Sequence, residues 1–119
     1  MAGSLVARRG YVHGDEMRFD VLRKPLERLR GLLGTGCDAR PVALMGCSSI
    51  HTFGMRYRLD VAFVSSDGYV LESWRSVPPG RLLSNRKAKI ALERPHSCGS
   101  WVARGERLSM RLEDERDAG

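Results

Sequence analysis

The chain has 119 residues, of which 42% are hydrophobic and 29% charged, and its formal net charge is +6. This length suits one hydrophobic core, and the composition is that of a soluble globular protein. No apolar run approaches the roughly 18 residues that span a bilayer, and no segment near the N-terminus resembles a secretory signal. We therefore expect a cytoplasmic, monomeric protein without a membrane-spanning segment.

The charge is unevenly distributed along the chain. Residues 113–119 hold four acids and one Arg, so residues 1–112 hold 19 basic and 10 acidic side chains. We expect residues 113–119 to form an acidic disordered tail. A basic body can bind nucleic acid, but charge alone supplies only the non-specific part of that affinity. An unknown small molecule or protein is therefore the preferred partner, and nucleic acid ranks behind both.

The first predicted elements are an arm and a strand. Residues 1–16 contain three glycines among charged side chains and show no sustained period, which predicts a flexible N-terminal arm with a short pairing near Tyr11 and Val12. Residues 17–22 alternate apolar and polar side chains, as in a half-buried strand. A single β-rich domain is therefore predicted over residues 17–112.

One short helix is predicted near residues 25–33. Pro25 suits the first helical position, because its fixed φ and missing N–H cost nothing there. Four leucines recur at steps of three and four residues and predict one apolar stripe that faces the core: Leu26, Leu29, Leu32 and Leu33. Gly34 can adopt the left-handed conformation that ends a helix.

The clearest prediction is an antiparallel hairpin. Residues 58–64 and 69–74 are rich in strand-forming side chains, and the sequence Ser-Ser-Asp-Gly at residues 65–68 is a strong turn. The first of these strands should place Leu59, Val61 and Phe63 on one face and Asp60, Ala62 and Val64 on the other.

The other segments complete a mainly β pattern. Strands are predicted at residues 41–45, 90–93 and 107–112, loops at residues 47–56 and 76–85, and one helical turn around Trp101. Short strands with a single helix predict a compact antiparallel β sandwich or barrel.

Two motifs carry a resemblance to a known family. One is His-Thr-Phe-Gly-Met-Arg at residues 51–56, followed by Leu-Asp-Val-Ala-Phe at residues 59–63 and a Ser-Asp-Gly turn; the other is Pro-Leu-Glu-Arg-Leu-Arg-Gly-Leu at residues 25–32. They resemble the bacterial and archaeal proteins grouped as domain of unknown function 192, although Lys24 replaces that family's small hydroxyl cap. The resemblance covers roughly residues 17–112 and implies a jelly-roll-like β domain with a helix closing one side. It implies no activity.

Asp60 is the most informative single residue. It shares a strand face with Ala62 and Val64, and a buried carboxylate must be paired, hydrogen-bonded or protonated. Desolvation would raise its pKa and suit a general base or a ligand contact. The favoured alternative is structural, with Asp60 accepting hydrogen bonds from backbone N–H groups or from an arginine: Arg30, Arg56 or Arg58.

The histidines and cysteines suggest weaker hypotheses. His51 could act as an acid, a base or a metal ligand, or it could tie its loop to the strands. Cys47 and His51 could form a thiol–imidazole pair, but loop spacing does not establish one. The three cysteines include no C-x-x-C pair, and a zinc set of Cys47, His51, His96 and Cys98 lacks the usual spacing. We expect free thiols, no metal and no cofactor.

These observations predict a polar-lined pocket formed by the loop at residues 47–56 together with Asp60. The candidate binding residues are Cys47, His51, Thr52, Phe53, Met55, Arg56 and Asp60. The expected function is a ligand- or partner-binding module. One alternative is a hydrolase-like enzyme with His51 as base, Asp60 orienting it and Cys47 as a further participant, which requires His51 and Asp60 within hydrogen-bond distance. Another is nucleic-acid binding through the Arg-rich helix and residues 81–89.

Overall fold

The structure, a computed structural model, describes residues 3–10 and 15–114. The chain forms nine strands and one helix within these residues: β1 (Ser4–Arg9), β2 (Glu16–Leu22), α1 (Pro25–Arg30), β3 (Val42–Met45), β4 (Ser49–His51), β5 (Leu59–Val64), β6 (Val70–Val77), β7 (Leu82–Ser84), β8 (Ile90–Pro95) and β9 (Leu108–Glu113). The predicted mainly β class with one short helix is confirmed. No helix in the described part of the chain is long and apolar enough to cross a membrane.

Seven strands form one curled sheet in the order β6-β5-β8-β3-β2-β1-β9. Every neighbouring pair is antiparallel except β2 and β3, which run parallel. A bridge between Tyr69 and Arg107 joins the residues just ahead of the two edge strands, β6 and β9. The edges of the sheet therefore approach each other at one end, as in a half-barrel.

The sheet separates two hydrophobic clusters. Ala62 and Val64 of β5 belong to the cluster on the concave face, where Phe19 and Trp101 pack edge to face. The alternate residues of β5, Leu59, Val61 and Phe63, belong to the cluster on the opposite face. The turn after α1 and the two-stranded sheet of β4 and β7 cover that cluster. The predicted division of β5 into two faces is confirmed, and both faces are buried.

The helix departs from its predicted form. It ends at Arg30, because Gly31 adopts a φ of +51° and donates its N–H to the carbonyl of Glu27. Leu32 then enters the core, but Leu26 is 79% exposed and Leu29 is 65% exposed. The predicted buried stripe is wrong for these two leucines, because α1 directs Arg28 toward the sheet, where it donates to the carbonyls of Met45 and Gly46.

Three short strands lie where none was predicted. The expected N-terminal arm is wrong for Ser4–Arg9, because β1 lies between β2 and β9 and buries Leu5, Val6 and Ala7. Strands β4 and β7 lie within the two predicted loops and pair with each other. Residues 97–104 contain no helical turn.

Two predictions fall partly outside the described residues. Neither the pairing near Tyr11 and Val12 nor residues 115–119 of the expected tail can be compared with the structure. Glu113, the first residue of that tail, is the last residue of β9.

Candidate ligand-binding groove

Asp60 lies at the start of β5 with 0% of its surface exposed. Its Oδ2 accepts from Nε of Arg94 at 2.8 Å, and its Oδ1 accepts from the backbone N–H of Ser76 at 2.9 Å. Nδ1 of His96 lies 2.8 Å from Oδ1, and Nε of Arg75 lies 3.3 Å from it. Burial alone would raise the pKa of Asp60, but these hydrogen bonds outweigh it and hold the pKa below its usual value. The carboxylate is therefore held by partners within the protein.

The predicted pairing of His51 with Asp60 is wrong. His51 lies on β4, outside the seven-stranded sheet, and its Nδ1 accepts the N–H of Phe53 at 3.2 Å. The two rings are stacked, with centroids 5.6 Å apart. The histidine that contacts Asp60 is His96, so the geometric requirement of the hydrolase-like alternative is not met by His51.

The arginines around Asp60 hold the loop that follows β8. Arg94 donates to the carbonyls of Gly99 and Ser100, and its guanidinium lies 4.7 Å from the ring centroid of Trp101. Arg75 donates to the carbonyls of Ser97 and Gly99. Asp60 therefore anchors two guanidinium groups that fix residues 97–100. This favours the structural role for Asp60, with arginines other than the three predicted.

Thr52 is fully buried and binds the connection between β6 and β7. Its Oγ1 donates to the carbonyl of Pro78 at 2.8 Å and accepts the N–H of Arg81 at 2.8 Å. Its backbone N–H donates to the carbonyl of Arg81, and its carbonyl accepts the N–H of Gly80. Thr52 thus positions residues 78–81 instead of facing a ligand.

A β-bulge lies at the end of β6. The pairs flanking it are Leu59 with Val77 and Val61 with Trp74. One residue of β5, Asp60, therefore faces two residues of β6. Such bulges redirect side chains and often lie next to functional sites.

Ser76 is strained within this bulge. Its φ is +58°, and it is the only non-glycine residue with a positive φ in the described ranges. The Asp60 carboxylate accepts its N–H, and Nη1 of Arg58 donates to its carbonyl at 3.0 Å. A non-glycine residue in the left-handed region costs roughly 1–2 kcal/mol, so these contacts maintain a conformation that the chain would otherwise leave.

A groove of about 280 Å³ lies over the bulge. We call it the bulge groove, and it is lined by Trp74, Arg75, Ser76, Val77, Pro78, Arg81 and Leu83. Trp74 is half-buried and packs edge to face against Phe63, with ring centroids 5.6 Å apart. Its indole N–H and the exposed Arg81 guanidinium have no hydrogen-bond partner among the described residues. The groove therefore combines an oriented aromatic wall with an unpaired cation.

The remaining predicted site residues do not converge on one pocket. Met55 is buried in the core, whereas Phe53 and Arg56 are exposed. The Cys47 thiol donates to the carbonyl of Ser49 at 3.0 Å, and burial raises its pKa, which disfavours the nucleophilic thiolate. All three cysteines are free thiols. Within residues 3–10 and 15–114, no three His, Cys, Asp or Glu side chains are grouped as metal ligands.

Sequence reasoning missed one buried carboxylate, Glu93 of β8. It is 3% exposed, and burial raises its pKa to about 7, against which only the N–H of Leu32 acts. No cation pairs with it in the described part of the chain. The available signal was a charged residue directly after Ile90, Ala91 and Leu92, in a strand that the sheet buries on both faces.

The half-barrel and its covering layer define a compact, mainly β domain. No family model matches the chain, and no curated protein matches it. A solved structure from Sinorhizobium meliloti, proposed to be a transcription regulator, is 17% identical with a TM-score of 0.72, covering 92% of this chain and 96% of its own. A protein of unknown function from Novosphingobium aromaticivorans is 14% identical with a TM-score of 0.68, covering 89% of this chain and 83% of its own. At these identities the likeness is one of fold alone.

Proposed function

We propose that this domain is a binding module that holds a small organic anion in the bulge groove. The observation that carries the proposal is the unpaired guanidinium of Arg81 beside the indole of Trp74 and the side chain of Leu83. A pocket with apolar walls and a few placed polar groups is the usual form of a ligand site. The net charge of +6 favours an anion over a cation.

Preorganisation supports the same proposal. Thr52 fixes the backbone of Arg81 through two hydrogen bonds of 2.8 Å, and Asp60 fixes Ser76 at the other end of the groove. A ligand that enters such a groove orders little further backbone, so more of its contact energy appears as affinity. In this proposal Thr52 and Asp60 hold the backbone of the groove walls and do not contact the ligand.

The groove limits the class of ligand. Its volume of about 280 Å³ suits a ligand with one ring and a substituent, and it is small for a ligand of two linked nucleotides. We expect a carboxylate or sulfonate on Arg81, with the ring against Trp74. A charge-assisted hydrogen bond to a guanidinium is among the stronger polar contacts. Arg81 should therefore make the groove prefer an anionic ligand over a neutral one of the same shape.

Benzoate and its neutral counterpart benzamide test this proposal. Their binding would be followed by the NMR shift of the Trp74 indole N–H, since the other tryptophan, Trp101, is buried. We expect benzoate to bind more tightly than benzamide, and we expect Arg81→Gln to weaken the binding of benzoate about tenfold. Arg104→Gln, which removes an equal charge from an exposed turn, should have no effect. Equal affinities for the two compounds, or equal effects of the two variants, would contradict the proposal.

Nucleic-acid binding is a second candidate. It is supported by the description of the Sinorhizobium structure as a proposed transcription regulator and by the exposed basic residues Arg86, Lys87 and Lys89. Fluorescence anisotropy with a short DNA duplex at several salt concentrations is the test. Binding through phosphates should weaken steeply with salt and should weaken further in Lys87→Gln. Absence of binding at low salt would remove this candidate.

A further inference from the structure

A second groove shares no lining residue with the bulge groove. Its volume is about 310 Å³, and we call it the turn groove. It is lined by Leu33, Gly34, Thr35, Gly54 and Arg56. Gly34 and Gly54 have φ values of +84° and +82°. These positive φ values favour glycine, and the missing side chains let Leu33 and Arg30 approach the backbone of Gly54 and Gly34.

Two guanidinium groups lie at the turn groove. Arg56 is exposed, and its side chain has no hydrogen bond or ion pair within the described residues. Nε of Arg30 donates to the carbonyl of Leu33 at 3.1 Å, and one Nη of Arg30 lies 3.5 Å from the position that a Cβ on Gly34 would take. No acid lines the groove. Its charge is therefore positive, and its ligand should be negative.

A buried acid stands behind this groove. Glu93 accepts the N–H of Leu32, and the carbonyl of Leu32 accepts from Oγ1 of Thr35 at 2.6 Å. Thr35 lines the groove and also bonds the hydroxyl of Tyr57 at 2.6 Å. The backbone N–H and the carbonyl of Leu32, which belong to two successive peptide groups, therefore place Glu93 and Thr35 of the groove wall on either side of one residue.

The surroundings of Glu93 supply no compensating charge. Across the sheet it faces Val42 of β3 and Val61 of β5. Tyr57 and Cys47 face it from the covering layer, and Arg28 of α1 is directed away to the carbonyls of Met45 and Gly46. A negative charge at Glu93 would therefore be little screened by its surroundings, and it would disfavour an anion bound against the Thr35 wall of the turn groove.

We propose that the turn groove is a binding site for a tetrahedral dianion, of the sulfate or phosphate-ester class, and that Glu93 takes up a proton when the dianion binds. Arg56 and Arg30 attract the dianion, while an ionised Glu93 behind the wall repels it. Protonation of Glu93 removes that repulsion, so anion and proton bind with positive coupling. Near neutral pH, where Glu93 is partly ionised, the coupling is greatest.

Sulfate is a suitable probe, because it is a tetrahedral dianion that does not itself titrate near pH 7. Calorimetric titration of the full chain in two buffers of different ionisation enthalpy measures the protons taken up. We expect up to about half a proton per sulfate at pH 7, and an affinity about fivefold weaker at pH 8 than at pH 6. Sulfate binding with no proton uptake and no pH dependence would overturn the role of Glu93.

Four variants test the site and the role of Glu93. Arg56→Gln should abolish sulfate binding, whereas Arg104→Gln, an equal loss of charge elsewhere, should retain it. Arg81→Gln should also retain it, which separates this inference from the proposed function. Glu93→Gln should bind sulfate with no proton uptake. If Glu93→Gln does not fold, the buffer comparison on the unaltered chain still decides. Binding that survives Arg56→Gln shows an adventitious ion and overturns the proposal.

Discussion

Asp60 and Glu93 lie on neighbouring strands at nearly the same burial, yet their titration is shifted in opposite directions. Asp60 has two guanidinium groups, a histidine and a backbone N–H around it, and its pKa is lowered. Glu93 has one backbone N–H, and its pKa is raised to about 7. Both side chains are almost fully shielded from solvent, so exposure alone does not set the direction of the pKa shift. The donors around each carboxylate set it, together with the stronger desolvation of Glu93.

The two faces differ in what covers them. Asp60 faces the concave side near its open end, where side chains from β6 and β8 can reach it. Glu93 faces the covering layer, where the turn after α1 lies directly on it: a Cβ on Gly31 would be 2.9 Å from Oε1 of Glu93. Cationic side chains therefore reach Asp60 on one face, whereas backbone and uncharged side chains cover Glu93 on the other.

The largest effect should come from removing the charge at Asp60. Asp60→Asn leaves Arg94 buried without its carboxylate, and we expect a loss of about 3–5 kcal/mol in the free energy of unfolding by urea. The matched control is Asp20→Asn, which breaks an ion pair with Arg40 at the surface and should cost less than about 1 kcal/mol. Equal losses would show that the Asp60 network contributes no more than a surface pair.

The next effect concerns pH. The folded state holds a proton at Glu93 up to about pH 7, whereas the unfolded state loses it near 4.5, so stability falls as pH rises through this window. The shift corresponds to about 3 kcal/mol. The contribution of Asp60 to stability depends on pH with the opposite sign, since it is lost as pH falls below 3.8, the pKa of this carboxyl in the unfolded chain. Urea unfolding of Glu93→Gln between pH 5 and pH 8 should lack most of the decline, and an unchanged decline would assign it to other groups.

A smaller effect should separate backbone strain from the crowding of Glu93. Gly31→Ala places a methyl group against the carboxylate at a φ of +51°, whereas Gly10→Ala has a φ of +49° and nothing within 4 Å. We expect about 1 kcal/mol of destabilisation at Gly10 and about 2 kcal/mol at Gly31. If thermal unfolding shows equal costs, Glu93 can move away and its face is looser than described.

The smallest effect should come from Ser76, the strained residue that Asp60 holds. Ser76→Gly relieves the positive φ, and we expect a gain of up to about 1 kcal/mol in stability to urea. Ser84→Gly, in the regular part of β7, should lose stability by a similar amount. A loss at Ser76 as well would mean that its side chain contributes more than its backbone costs.

Local pattern was enough to predict the central hairpin. The alternation around Leu59 and Phe63, with the turn at residues 65–68, predicted β5, β6 and the two faces of β5. Strands β4 and β7 have three residues each, too few to show a period, and β1 is defined by its pairing partners. The exposure of Leu26 and Leu29 depends on where Gly31 turns the chain, which the spacing of the leucines does not show.

For the Asp60 network, too, local pattern indicated one residue but not its partners. The polar position of Asp60 within an apolar strand was visible, but its partners Arg94 and His96 follow 34 and 36 residues later. Only the pairing of β5 with β8 brings them together. The bulge groove depends on the register shift at Ser76, and the burial of Glu93 depends on the turn that covers it. The groove has no local signature, and the local signal for Glu93 was its charge directly after three apolar residues.

The pairing of β1 with β9 has a consequence for how the chain folds. Ser4 lies opposite Glu113, so the first and last strands meet across nearly the whole sequence. Contacts of such wide sequence separation slow folding, and we expect refolding in milliseconds to seconds. During synthesis, β1 can pair with β2 early, but its other edge stays open until β9 has left the ribosome. For that interval the nascent chain has an unpaired strand edge that a chaperone or a neighbouring chain could occupy.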